Sequence, residues 1–162
     1  MTRTEDKLKE SLQNLSGKTV LDIGCGSGLH SLAAARLGAS RVVSFDYDHQ
    51  CVACSSAMKQ RYAPNSPWTI RQGSVLDSDF LRPLGSFDIV YSWGVLPFTG
   101  AMWQAIENAA LLSRDKLLIS IYADQGSISR IWRVLKKTTA LIRSSENPSC
   151  FSRLLPFGVR NC

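Results

Sequence analysis

Long apolar runs are missing from this chain of 162 residues. No stretch approaches the ~18 consecutive apolar residues that a membrane-spanning helix requires. The N-terminus, Met1-Thr2-Arg3-Thr4-Glu5-Asp6-Lys7, is charged and lacks the apolar core of a signal peptide, so the cytoplasm is the expected compartment. Paired cysteines are missing too. Five cysteines, an odd number, argue for reduced thiols rather than a disulfide framework. Cys51-Val52-Ala53-Cys54 has no second C-x-x-C, and two histidines in the whole chain complete no zinc set, so no metal is expected. On a helix, Cys51, Ser55, Met58 and Tyr62 share a stripe, with Cys54 at its margin, which assigns these cysteines to packing. Internal repeats and low-complexity tracts are absent. Acidic residues are scarce in one place only: residues 126–162 hold seven Lys/Arg against Glu146 alone, while residues 1–125 hold 12 of each sign. The net charge of +6 therefore belongs to the end of the chain. Overall basicity then gives no argument for nucleic acid, which is not the expected partner.

What is present suits a single domain with a substantial core: 44% hydrophobic and 20% charged residues. Leu8, Leu12 and Leu15 give residues 4–15 the stripe of a lead-in helix. Thr19 to Ile23 is apolar apart from Asp22, as in a strand covered on both faces. A helix follows from Leu29 to Leu37, with Leu29, Leu32, Ala33 and Leu37 inward. Arg41 to Phe45 is the second strand, closed by Asp46, and Asp48 caps a helix from His49 to Tyr62. Trp68 to Gln72, Phe87 to Ser92 and Lys116 to Tyr122 are the remaining strands, the last preceded by a helix over 101–112. This alternation predicts an α/β, Rossmann-like, doubly wound sheet, mainly parallel, of about five strands in the order 3-2-1-4-5 with helices on both faces. Ligands in such a sheet bind outside the carboxyl ends of the strands, beside the first. The chain divides into a domain over 1–143 and a poorly ordered tail over 144–162. Within the domain, residues 127–143 read as a basic amphipathic helix, with Arg130, Arg133 and Lys137 opposite Ile128, Ile131 and Leu135. Core packing with a solvated outer face is the preferred role for it, and docking on a membrane surface the lesser one.

The chemistry concentrates in Val20-Leu21-Asp22-Ile23-Gly24-Cys25-Gly26-Ser27-Gly28. A strand runs into three glycines at alternate positions, and a helix then points its unpaired N–H groups back at them. Alone, the turn is compatible with several nucleotide cofactors. Three details narrow it. The position where a dinucleotide fingerprint needs its third small residue is Leu29. Asp22, within the strand, would repel a pyrophosphate. Asp46, 22 residues after Gly24, closes the second strand where a carboxylate can accept from ribose hydroxyls. A ribosyl cation without phosphates fits that set, and S-adenosylmethionine is such a ligand. Leu29 and Asp22 together disfavour an NAD-dependent oxidoreductase.

Over residues 18–135 the chain resembles the class I S-adenosylmethionine-dependent methyltransferases. Val20–Gly28 matches the first motif of that family, Asp46 its acidic strand end, Gly73-Ser74-Val75-Leu76-Asp77 its adenine-side loop, and Phe87-Asp88-Ile89-Val90-Tyr91-Ser92 its fourth-strand motif. Tyr91-Ser92-Trp93-Gly94-Val95-Leu96 with Asp124-Gln125-Gly126 is similar to a bacterial subgroup of quinone-type and other small-molecule methylases. The resemblance implies an S-adenosylmethionine cofactor and a small-molecule acceptor. It implies that Gly24, Cys25, Gly26 and Gly28 bring backbone against the methionine portion, that Asp22 faces the amino group, and that Asp46 holds the ribose. It places Tyr47 beside the adenine, Ser74 and Val75 along its edge, and Ser92 and Trp93 near the transferred methyl.

The chain departs from the family in several ways. Ser74 stands where an acidic residue is common, and Pro97-Phe98 replaces the subgroup's histidine pair, so no catalytic base is assigned. The family continues for a sixth and seventh strand where this chain ends after five, which reads as truncation. Two functions stay open at this point: methyl transfer, and a catalytically silent domain that binds cofactor or partners. Asp88 is open as well, between a structural carboxylate and a site residue, and His30 between packing on the sheet and facing the cleft.

Overall fold

The computed structural model describes Asp6 and residues 15–121. Five strands make one parallel sheet: β1 (Thr19–Ile23), β2 (Arg41–Asp46), β3 (Trp68–Gln72), β4 (Phe87–Trp93) and β5 (Ser113–Ser120), in the order β3-β2-β1-β4-β5. Between them run α1 (Leu29–Arg36), α2 (His49–Tyr62), the short α3 (Ser78–Leu81) and α4 (Met102–Leu111). The order and the parallel sense are those expected from the alternation of elements.

Alternation along the strands divides the core into two. Val20 and Val42 face one way and pack with Leu32, Ala33, Trp68, Ile89 and Tyr91 beneath α1 and α2. Leu21, Ile23, Val43 and Phe45 face the other way, against Leu81 of α3 and Ala105 and Ala109 of α4. Strands buried on both faces explain the unbroken apolar runs in the sequence. Gly28 caps α1 with φ +80°, and the Asp48 carboxylate accepts the Gln50 N–H at the start of α2. At the start of β1, Asp88 accepts both the Thr19 N–H and the Thr19 hydroxyl at 2.8 Å. The Thr19 amide bond, ahead of the other causes, holds the Asp88 carboxyl below the usual range. Asp88 is thus a structural carboxylate that pins β4 to β1.

Several expectations need adjusting. β5 begins at Ser113 rather than Lys116. Arg114 donates to the Ser86 hydroxyl and carbonyl at 2.8 and 2.6 Å, which draws residues 113–115 into the strand, with a register shift between Phe87 and Ile89. Leu29 is not inward but exposed, because α1 begins beyond the carboxyl end of the sheet, where no strand lies beneath it. Cys54 is exposed rather than packed, and within the Cys51 stripe only Ser55 is fully buried. The lead-in helix apart from Asp6 and Leu15, the segment Asp124-Gln125-Gly126, the helix over 127–143 and the tail over 144–162 lie outside the described residues. Among the described residues no helix is long and apolar enough to cross a membrane.

Trp68, buried at the edge strand, donates its indole N–H to the Ser44 hydroxyl at 2.7 Å. Replacing it with Phe keeps most of the packing but removes that donor. Trp68→Phe should cost about 1–3 kcal/mol in urea unfolding with an unchanged m-value.

Candidate functional site

The carboxyl ends of β1 and β2 present the three-glycine turn, and its shape is fixed by what each glycine approaches. A Cβ on Gly28 would stand 2.8 Å from the Ser55 hydroxyl and 2.9 Å from the Trp68 ring, so side chains from α2 and β3 fill the space beneath it. A Cβ on Gly24 would meet Val95, whose side chain presses on the turn from the loop after β4. Gly26 differs. No heavy atom lies within 4 Å of a Cβ built there, so its outer side opens on free space. That opening, beside the Asp46 carboxylate, is where a ligand can approach the backbone.

Asp46 ends β2, and both its oxygens are engaged: one accepts the Gly26 N–H at 2.9 Å, the other the Asp48 N–H at 3.0 Å. A carboxylate retains lone pairs after two such bonds, so acceptance from a diol is compatible with them. Asp22 lies one strand inward on β1, buried, in register with Ser44 on β2 and Tyr91 on β4. It accepts the Ser31 hydroxyl at 2.6 Å from the first turn of α1. Burial, opposed by that bond and reinforced by the charge of Asp46, pushes the Asp22 carboxyl up to about 6. It forms no ion pair with any described residue. A buried carboxyl with no protein cation, beside an open backbone, suits a cationic ligand group.

The other expected residues take different places. The Cys25 side chain is buried under the turn, 3.4 Å from the Ser55 hydroxyl, and burial pushes its thiol up to about 11. Only its backbone can belong to the ligand side. Tyr47 is exposed, and its carbonyl accepts from Gln72. The Ser74 hydroxyl accepts the Leu76 N–H at 3.1 Å, while Val75 is buried and its carbonyl accepts from Asn108. Ser92 is buried and donates to the Ile23 carbonyl at 3.1 Å, so its hydroxyl joins β4 to the end of β1. Trp93 is half exposed, parallel to the Tyr91 ring, with His30 against both. His30 therefore packs on the sheet's aromatic residues at the cleft mouth.

Sequence reasoning missed Ser55, Ser31 and Val95. Ser55 donates to the Gly26 carbonyl at 2.9 Å as well as touching Cys25, and it is the side chain that locks the turn to α2. A polar residue at the centre of an otherwise apolar helix stripe was the available signal for it.

The free carboxyl of Asp22 in the unfolded chain titrates near 3.8, and in the folded chain near 6. Between those values the folded state binds more protons, so stability falls as pH rises from about 4 to about 6 and levels off above. Asp22→Asn should flatten that slope in the ligand-free protein and raise its stability at pH 7. Urea titrations across the window check both.

The sequence matches the family profile described as ribosomal protein L11 methyltransferase (PrmA) over residues 6–79. It is 32% identical to a ribosomal protein L11 methyltransferase of Vibrio parahaemolyticus over 133 residues, which is 73% of this chain and 45% of that protein. It is 37% identical to a tRNA U34 carboxymethyltransferase of Shewanella putrefaciens over 91 residues, 56% of this chain and 26% of that protein. The chain thus spans half or less of the length of these curated relatives. Among solved structures, magnesium protoporphyrin IX methyltransferase from Synechocystis, with bound S-adenosylhomocysteine, superposes with a TM-score of 0.64 at 25% identity, covering 86% of this chain and 62% of that one. These findings correct one expectation. The curated relatives are named for a ribosomal protein and a tRNA, which overturns the small-molecule acceptor and the setting aside of nucleic acid. With the five-stranded order and the glycine turn in place, the chain has the fold of the class I S-adenosylmethionine-dependent methyltransferases and is similar in sequence to the methyltransferases named above.

Proposed function

We propose that this chain binds S-adenosylmethionine at the glycine turn and serves methyl transfer to a macromolecular acceptor, RNA or protein. The observation that carries the donor half is the opening at Gly26, flanked by the unpaired carboxyl of Asp22 and the strand-end carboxylate of Asp46. When bound, the cofactor supplies a methyl group activated by a sulfonium, ready for in-line displacement by a nucleophile. The protein's own task is positioning, which by itself supplies effective molarities of about 10⁵–10⁸ M.

Asp22 provides negative charge in a dry setting, where it counts for more than in water. Its cost in the free protein is offset when a cation arrives. Asp46 holds the turn through Gly26 while keeping acceptor capacity toward the ribose, and such charge-assisted bonds contribute about 1.5–3 kcal/mol each. Tyr47 and the Ser74–Val75 loop border the same cleft at the ends of β2 and β3, on the adenine side. The acceptor class follows from the relatives named for ribosomal protein L11 and tRNA.

The reading is tested with S-adenosylhomocysteine by calorimetry. Wild type should bind, and Asp46→Ala should weaken binding at least tenfold, the size of one charge-assisted bond at about 1.4 kcal/mol per decade. Because the ammonium group favours ionised Asp22, affinity should rise as pH increases through about 6 and become flat in Asp22→Asn. Binding indifferent to Asp46 would sink the assignment. Turnover with acceptor RNA or protein then separates an enzyme from a domain that only binds the cofactor.

A further inference from the structure

Strand order decides which element meets each part of the cofactor. The glycine turn follows β1, Asp46 ends β2, and β3 lies beyond β2 at the edge of the sheet. With methionine at the turn and ribose at Asp46, the base continues in the same direction, onto the carboxyl end of β3. That end lies two strand spacings, about 10 Å, from β1. The loop after β3 is tied to the ribose side. The Gly73 N–H donates to the Asp46 carbonyl at 3.0 Å, and a Cβ on Gly73 would overlap the Phe80 ring.

Of the side chains in this loop, Ser74 is the one that keeps both hydrogen-bonding senses. Val75 is buried, and Leu76 packs against the core. The Asp77 carboxylate caps α3 by accepting the Asp79 and Phe80 N–H groups. Ser74 is half-buried, and its hydroxyl oxygen accepts the Leu76 N–H at 3.1 Å. A hydroxyl has one donor and two acceptor sites, so this bond leaves one of each.

That remainder matters at the 6-position of a purine. Adenine presents an N6 amino donor beside the N1 acceptor. Hypoxanthine, its deaminated form, reverses the pattern, with an O6 acceptor beside an N1–H donor. A carboxylate only accepts, so at this loop it would complement one donor of one base and oppose the other base. A hydroxyl complements either edge by turning its hydrogen. Stacking on the exposed Tyr47 ring at the neighbouring strand end does not separate the two bases either.

We propose that Ser74 makes the donor pocket permissive at the purine 6-position, so that 6-amino and 6-oxo forms of the nucleoside bind alike. The proposal rests on the donor-site reading above and specifies its base end.

The test is calorimetry on the full chain at neutral pH with two probes, S-adenosylhomocysteine and S-inosylhomocysteine. Wild type should bind both with affinities within about tenfold of each other, the reach of one neutral hydrogen bond. Ser74→Asp retains an acceptor for the Leu76 N–H, so the loop keeps its turn. It should shift the ratio of the two affinities by about tenfold or more, because a bond to a charged group is stronger and one-sided. The shift favours the adenosyl probe where the side chain meets position 6 and the inosyl probe where it meets N1. The two probes share the same homocysteine and ribose, so general repulsion by the added carboxylate cancels in the ratio. Ser74→Ala should weaken both probes by about threefold or more, to a similar extent. A wild type that separates the probes by well over tenfold would overturn the proposal. So would a ratio unmoved in Ser74→Asp, or wild-type affinity for both probes in Ser74→Ala. A wild type that binds neither probe refutes the donor site itself, which keeps the two readings apart.

Discussion

Space for one missing carbon organises this molecule. At Gly28 the backbone approaches the Ser55 hydroxyl and the Trp68 ring so closely that a Cβ would overlap both. Those two side chains come from α2 and β3, elements that otherwise meet the turn only through β2. Ser55 then reaches on to the Gly26 carbonyl, and Trp68 to the Ser44 hydroxyl at the centre of β2. One close approach therefore fixes the curvature of the turn, the seating of α2 and the position of the edge strand. A methyl group at Gly28 would also sit at φ +80°, strained before any contact is considered. The two effects act in the same direction and leave the sequence little freedom there.

The same turn stores an electrostatic cost. Asp22 is placed by β1 where no described cation pairs with it, and its proton affinity rises accordingly. A sheet of this kind would be more stable with an apolar residue at that position, flanked by Val20 and Ile23. Asp46 adds to the cost through its own charge, and it also closes the turn through Gly26. Two carboxylates held at the mouth of one cleft, one partnered only by neutral groups and one by backbone amides, give a field that attracts a cation and repels phosphate. The destabilisation is local, because Ser31 and the backbone of α1 absorb part of it.

The sheet was readable from the chain because parallel strands buried on both faces leave apolar runs, and helical segments alternate with them. The readings that failed share a physical cause. Leu29 has helical spacing but sits past the end of the sheet, and periodicity does not report where the underlying strand stops. Ser113-Arg114-Asp115 looks like a turn, and becomes strand because Arg114 finds Ser86 across the sheet edge. At the turn, the positions of Asp22, Asp46 and the glycines at the strand ends were visible because they depend on strand boundaries and fixed spacing. Ser55 was not, since its partner is 29 residues distant and only the folded chain brings them together. Ser92 joins β4 to the last residue of β1 through its hydroxyl, a contact that spacing along the chain does not report. The acceptor was the least legible feature. Nothing in a motif for the donor constrains what receives the methyl, and the relatives named for a ribosomal protein and a tRNA removed the small-molecule expectation.

Strand order gives the division of labour its geometry. β1 and β2 carry the carboxylates and the glycine turn, whereas β4 carries the rings, and β4 is the immediate neighbour of β1. The register of Asp22 with Tyr91 puts a carboxylate and a ring side by side across one strand spacing, about 4.8 Å. The burial that raises the Asp22 carboxyl also raises the Tyr91 phenol, with the charge of Asp22 adding to the latter. Tyr91 therefore stays neutral and serves as a rigid floor for Trp93, not as a proton carrier. A charged and a neutral side chain thus sit on adjacent strands, the carboxylate of Asp22 beside the un-ionised phenol of Tyr91.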